Sequence, residues 1–292
     1  MRTLSILFVV LFSLSINAQN IPTAWEELTA SDFTLAVQQS GGVCVIPMGV
    51  LEKHGQQLPL GTDVYTAREI CRRAAAKEYC IIFPYYFVGQ ILEAKHQPGT
   101  IAYSPEMLSM FLEETCREIS RNGIKKIILV NTHGGNNAFM QYFCQIQLAT
   151  PRDYAVYAIT PSVNQDIQKK ITGMRKSTIG GHADEVETSA MMVVRPDLVK
   201  INRATDESGQ NQNQLQQLPY VNTGIKWYSQ YPNHYAGDAK DANTEIGEIS
   251  IEGRSQQVIE IIKAVKADQT TIRLQNEFFR ESAAPHNTKV KK

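Results

Sequence analysis

The chain has 292 residues, 43% of them hydrophobic, and 29 Lys and Arg balance 29 Asp and Glu for a formal charge of zero. That composition is one of an ordinary globular protein, and the length fits one large domain or two small ones. The absence of net charge gives no electrostatic basis for nucleic acid or an anionic membrane as partner.

Residues 1–18 carry one early positive charge at Arg2, an apolar core from Leu4 to Leu14, and a small residue, Ala18, before Gln19. This is the pattern of a cleaved secretory signal and is too short for a membrane span. The expected organisation is therefore a signal segment (1–18), a single folded domain (19–283) and a basic tail without fixed structure (284–292), in a protein exported to the periplasm or the medium and lacking a membrane anchor. Cys44, Cys71, Cys80, Cys116 and Cys144 show no paired metal-binding spacing, and an odd count leaves at least one unpaired. Most lie in apolar or helical stretches and read as buried free thiols.

Val43 to Met48 is an apolar run that reads as a buried strand. It leads into the stretch around which the chain is organised, IPMGVLEKHGQQLPLGTD from Ile46 to Asp63. Residues two apart on an extended segment share a side, so Glu52 and His54 can face one cavity while Lys53 turns away. Gly55, Pro59 and Gly61 let the backbone turn and return Asp63 towards that pair. Two carboxylates and an imidazole suit a divalent metal of the zinc or manganese type; the competing reading is a strand-end loop of solvated acids.

Val64 to Tyr79 fits an amphipathic helix, and Cys80 to Val88 reads as a strand. His96 follows in a turn-rich segment, where a lone His is usually solvated. Ser104 caps a helix that opens on Pro105 and ends at Asn122-Gly123. Lys126 to Asn131 is a short buried strand that delivers Thr132, His133, Gly134, Gly135 and Asn136 to the start of a helix at Asn137–Ala149. Tyr154 to Thr160 makes another strand. Strand and helix thus alternate, which predicts an α/β fold with a mainly parallel sheet and a crevice at the carboxyl ends of its strands.

Gly180 to Ser189, GGHADEVETS, places His182 at the entry of a helix starting at Ala183 or Asp184. Glu185 and Glu187 in its first turn could share the His182 cleft or simply complement the helix dipole. Asp206 to Gln217 reads as an exposed loop. Trp227, Tyr228, Tyr231, His234 and Tyr235 form an aromatic cluster that either lines a pocket or packs, and one long helix is expected from Ile246 to Phe279.

Three separated stretches therefore offer metal-ligand side chains at strand ends or helix starts. Together, PMGVLEKHGQQLPLGTD, NTHGGNN and GGHADEVETS, with the weaker PGT at Pro98–Thr100 and GDAKDANTEIG at Gly237–Gly247, make the chain resemble the creatininase (creatinine amidohydrolase) family. The resemblance implies a single-domain, three-layer αβα fold, a homo-oligomer, often a hexamer, and two divalent ions, zinc or manganese with iron possible, acting on a C–N bond of a small amide. By the same resemblance Glu52 and His133 would hold one metal, His54 the other, and Asp63 would bridge them. The family's remaining carboxylate, two residues after the His of the middle motif, falls on Gly135. Glu185 is expected to replace it, with Glu187 as the alternative, and His182 is the candidate for proton transfer. No substrate-binding residue is assigned. Gln57 stands where the family usually has a second His and Asp184 where Gly is common, so the reaction could be creatinine hydrolysis, a deformylation or a small-peptide amidase reaction. A non-catalytic metal-containing binding protein is the alternative of another class.

Overall fold

A computed structural model describes residues 21–290; the expected signal segment lies outside the described residues. Four strands, β1 (Val43–Met48), β2 (Ile81–Ile82), β3 (Lys126–Asn131) and β4 (Ala155–Ile159), form one parallel sheet in the order β2-β1-β3-β4. Every residue of β1 and β3 is buried, as expected for central parallel strands covered on both faces.

Alternation along these strands divides the core. Cys44, Ile46, Met48, Ile127 and Leu129 face α1 (Ala30–Gln39), α3 (Pro105–Arg121) and α4 (Asn136–Ile146), where Ala36, Leu112, Cys116 and Phe143 meet them. Val43, Val45, Ile128 and Val130 face the other way. There they meet α2 (Thr62–Lys77), α6 (Glu185–Val194) and α8 (Thr244–Ala267) through Ile70, Ala190, Ile251 and Ile262. The result is the expected αβα sandwich. Truncating a fully buried side chain such as Leu112 to Ala should cost about 2–5 kcal/mol. The outer elements are α5 (Gln165–Met174), α7 (Lys226–Gln230) and α9 (Thr270–Ser282).

Local chemistry accounts for most element ends. Ser104 accepts from Met107 N–H to cap α3, and Asn164 and Asn243 cap α5 and α8 in the same way. The strand expected from Cys80 to Val88 shrinks to two residues; Phe83 N–H still reaches Val45, but Pro84 has no N–H to continue the ladder. The single helix expected from Ile246 to Phe279 is two, because Asp268 leaves helical geometry and accepts from the N–H groups of Thr270 and Thr271. Of the basic tail, Pro285–Asn287 forms one 3₁₀ turn. All five cysteines are free, and four are buried.

Residue register places the site. Met48 is paired with Asn131, so the loops leaving β1 and β3 emerge side by side. Thr132 clips them together, its N–H on the Met48 carbonyl (3.1 Å) and its hydroxyl on the Asp63 carbonyl (2.8 Å). Gly49 permits the fit: a Cβ there would lie 2.5 Å from Val64 N, inside the first turn of α2.

Candidate metal centre

Five buried side chains converge over those strand ends. Glu52 and His54 leave the β1 loop, Asp63 opens α2, His133 follows β3, and His182 precedes α6. Asp63 faces both flanking imidazoles, with Oδ1 3.3 Å from His54 Nε2 and Oδ2 3.3 Å from His133 Nδ1. Glu52 Oε1 lies 2.7 Å from His133 Nδ1 and 3.9 Å from His54 Nε2. The donor atoms of Glu52, Asp63 and His133 fall within 4.8 Å of one another, and so do those of His54, His182 and Glu187.

Imidazole tautomers follow from their partners, because a backbone carbonyl can only accept. His54 Nδ1–H donates to the Glu52 carbonyl (3.2 Å), and His133 Nε2–H to the Gln90 carbonyl (2.8 Å). Each ring therefore turns its lone pair towards the carboxylates. Orienting bonds of this kind are the usual support of a metal-ligating His. Glu52 Oε1, His54 Nε2 and Asp63 Oδ2 are buried without a hydrogen-bond partner. Three orphaned donor atoms in one buried cluster are costly unless a cation satisfies them, so these residues fit divalent metal.

Titration of the cluster without metal has the same meaning. Burial opposes the His54 imidazolium, but the Asp63 carboxylate beside it holds its pKa up at about 9. Burial likewise opposes a charged His133, yet Glu52 and Asp63 push it well above the ordinary value. Burial would raise Glu52 and Asp63, and their imidazole partners hold both down instead, His133 foremost for Glu52 and His54 for Asp63. Protons occupy the positions a divalent ion would take.

His234, a member of the aromatic cluster around Trp227, touches Glu52 Oε2 through Nε2. It is not a ligand. Trp227 Nε1–H, a donor only, gives its proton to His234 Nδ1 (2.9 Å), so the ring must carry its hydrogen on Nε2 and donate it to Glu52. Burial depresses the pKa of His234, which keeps it neutral for that role. His182 Nε2–H donates to the Lys53 carbonyl (2.7 Å), leaving Nδ1 to accept a proton, and its ring stands 4.3 Å from that of His54. Lys53 turns away as expected and binds Glu207 (2.6 Å) and the Asn233 carbonyl (2.7 Å), tying the loop that carries His234 to the metal motif.

The expectation for Glu185 is corrected. Its carboxylate is fully buried outside the cluster and accepts from the N–H groups of Lys176 (3.1 Å) and Ser177 (2.8 Å). Glu187 is the neighbouring acid that shares a donor set with His54 and His182; it accepts from Ala183 N–H (2.5 Å) and is shifted up chiefly by burial. Ala183 is left-handed (φ 56°), which turns the chain sharply between His182 and the Asp184 cap. Gly135 has no room for the family's usual acid: a Cβ would meet His133 Nε2 at 2.4 Å and the Gln90 carbonyl at 2.9 Å. Glu93 stands over it and, with Trp227, Gly134 and His182, lines a cavity of about 250 Å³ above the cluster. Gln57 binds the Ala183 carbonyl (2.9 Å), a structural tie clear of the donor atoms. His96 lies on the Pro232 carbonyl (2.8 Å), outside the cluster.

A family model described as creatinine amidohydrolase matches residues 26–262. The creatinine amidohydrolase of Pseudomonas putida is 27% identical over 197 residues, 62% of this chain and 75% of that one. A 2-amino-5-formylamino-6-ribosylaminopyrimidin-4(3H)-one 5'-monophosphate deformylase of Methanococcus voltae is 31% identical over 127 residues, 40% of this chain and 44% of that one. Among solved structures, a manganese creatininase superposes with a TM-score of 0.72 at 22% identity, covering 84% of this chain and 99% of that one.

Proposed function

The chain belongs to the creatininase family of amidohydrolases, and from that premise we propose that it hydrolyses a C–N bond of a small amide or cyclic amide at a two-metal centre. Glu52, His133 and Asp63 would hold one divalent ion, zinc or manganese, and His54, Glu187 and the other oxygen of Asp63 a second. The observation that carries this reading is the convergence of the orphaned atoms Glu52 Oε1, His54 Nε2 and Asp63 Oδ2, with the other polar atoms of Glu52 and His54 already engaged by His234 and by the Glu52 carbonyl. The pairing of a manganese creatininase with the same fold supports the choice of cofactor.

Bound divalent ions supply Lewis acidity at neutral pH, for a water nucleophile and for the scissile carbonyl. The chain's own residues do the rest. His234 holds one oxygen of Glu52, which keeps the other, Oε1, turned towards the cluster beside His133. His182 keeps Nε2 on Lys53 and offers Nδ1 to carry a proton to the leaving nitrogen. Trp227 and the glycine turn Gly134-Gly135 bound the cavity and exclude bulk water from one side.

Metal analysis of the purified protein, with turnover of creatinine and a panel of formamides and small amides before and after chelation, tests the proposal. About two ions per chain and activity lost on chelation but restored by zinc or manganese is the expected result. Metal retained with no hydrolysis of any amide would favour a binding protein. Residues 1–18 support export and the family supports a homo-oligomer; amino-terminal sequencing of protein recovered outside the cytoplasm and light scattering in solution test these two.

A further inference from the structure

A second cavity, about 300 Å³, lies between α5, α6 and α8 and meets the metal cavity at Gly181 and Glu187, which line both. Its wall carries donors that nothing accepts. Ser250 and Arg254 stand one turn apart on one face of α8. Ser250 Oγ is buried without a hydrogen-bond partner, and so is Arg175 Nε. Arg254 forms no hydrogen bond or ion pair with another described residue.

The acids nearest Arg254 are engaged elsewhere. Asp184 Oδ1 caps α6 through Val186 and Glu187 N–H, while its Oδ2 faces Arg175 at 3.5 Å. Glu187 holds Ala183 N–H and belongs to the metal set, as does Asp63. A guanidinium without a hydrogen-bond partner, the free Nε edge of a second and an unpartnered hydroxyl around one cavity, with Asp184 and Glu187 acting on Arg254 only through space, are the complement of an oxyanion. We propose that this cavity binds a carboxylate or phosphate group, and that this group is the far end of the substrate whose amide lies in the metal cavity. Only the second half of that statement rests on the amidohydrolase reading.

The metal-loaded full-length protein is titrated calorimetrically with inorganic phosphate and, separately, with acetate, and its crystals are soaked in selenate to locate the anion by anomalous scattering. Selenate should lie against Arg254 and Ser250. Arg254→Gln should weaken the tighter anion about tenfold or more, and Ser250→Ala severalfold. Tighter phosphate assigns a phosphorylated substrate; tighter acetate assigns a carboxylated one. Selenate found only at the metal positions or nowhere, or an Arg254→Gln protein that melts normally and binds equally well, overturns the proposal. Should Arg254→Gln not fold, unchanged binding by Ser250→Ala together with absent selenate at α8 overturns it equally. Since anion binding is read without turnover, intact binding beside a silent amide panel would refute the amidohydrolase reading alone.

Discussion

Exchanging Glu187 for Gln tests the second metal position, and exchanging Glu185 for Gln is its control. The two acids lie two residues apart and differ in what they touch. Glu185 accepts from two backbone N–H groups in a fully buried setting. Turning it into an amide weakens a charge-assisted acceptor by about 1.5–3 kcal/mol. In a domain of this size each kcal/mol lowers Tm by roughly 2–4 °C, so Glu185→Gln should melt roughly 3–12 °C lower and keep both metals. Glu187→Gln instead removes the carboxylate that shares a donor set with His54 and His182. Loss of an outer-shell partner typically costs about 10–100-fold in affinity or activity, so loss of a ligand should reduce turnover by more than about a hundredfold. Metal content should fall from about two to about one per chain. Elemental analysis after gel filtration in metal-free buffer, with a thermal melt of each variant, reads both effects. Two metals and full turnover in Glu187→Gln, beside one metal in Glu185→Gln, would refute the reasoning.

Trp227→Phe keeps the ring but deletes the N–H that fixes His234; kcat should fall about tenfold with metal content unchanged, and an unchanged kcat would show that another group sets the tautomer. Gly135→Ala should displace His133, whose Nε2 lies 2.4 Å from the new Cβ, and elemental analysis should find the first metal position depleted. In metal-stripped protein the His54 pKa stands at about 9 against an ordinary 6.5. A raised value means that stability from its ion pairs is fully present below pH 6.5 and is lost as pH rises through 9, a contribution on the order of 3 kcal/mol. Denaturant melts of the stripped protein at pH 6 and pH 9.5 should show that loss; with metal bound it should disappear.

Much of this was legible in the residues themselves. Apolar runs gave β1 and β3, Ser104 and Asn122-Gly123 bounded α3, and the alternation of Glu52, Lys53 and His54 placed Lys53 away from its neighbours. What escaped was decided by contacts distant in sequence or by single backbone angles. Spacing could not separate Glu185 from Glu187, because the left-handed turn at Ala183 and the N–H groups of Lys176 and Ser177 determine which acid faces the cluster. His234 was hidden for a similar reason: it reaches Glu52 only because its loop is held 180 residues away by Lys53. A useful signal was present in the pair Trp227 and His234, an indole donor seven residues from an imidazole. Pro84 and Asp268 were visible breakers, and reading them as such would have shortened β2 and divided the last helix.

The Lys53 bridge has a mechanical consequence. Lys53 stands between two metal-facing residues in the chain, and its ammonium anchors the backbone that aims Glu52 and His54 from behind, on Glu207 and Asn233. Local opening of the 206–235 segment would release that anchor and withdraw His234 from Glu52 in one motion. Opening and metal loss are therefore coupled, and metal should slow amide hydrogen exchange and proteolytic cutting in a loop that supports the cluster through His234 and Asn233.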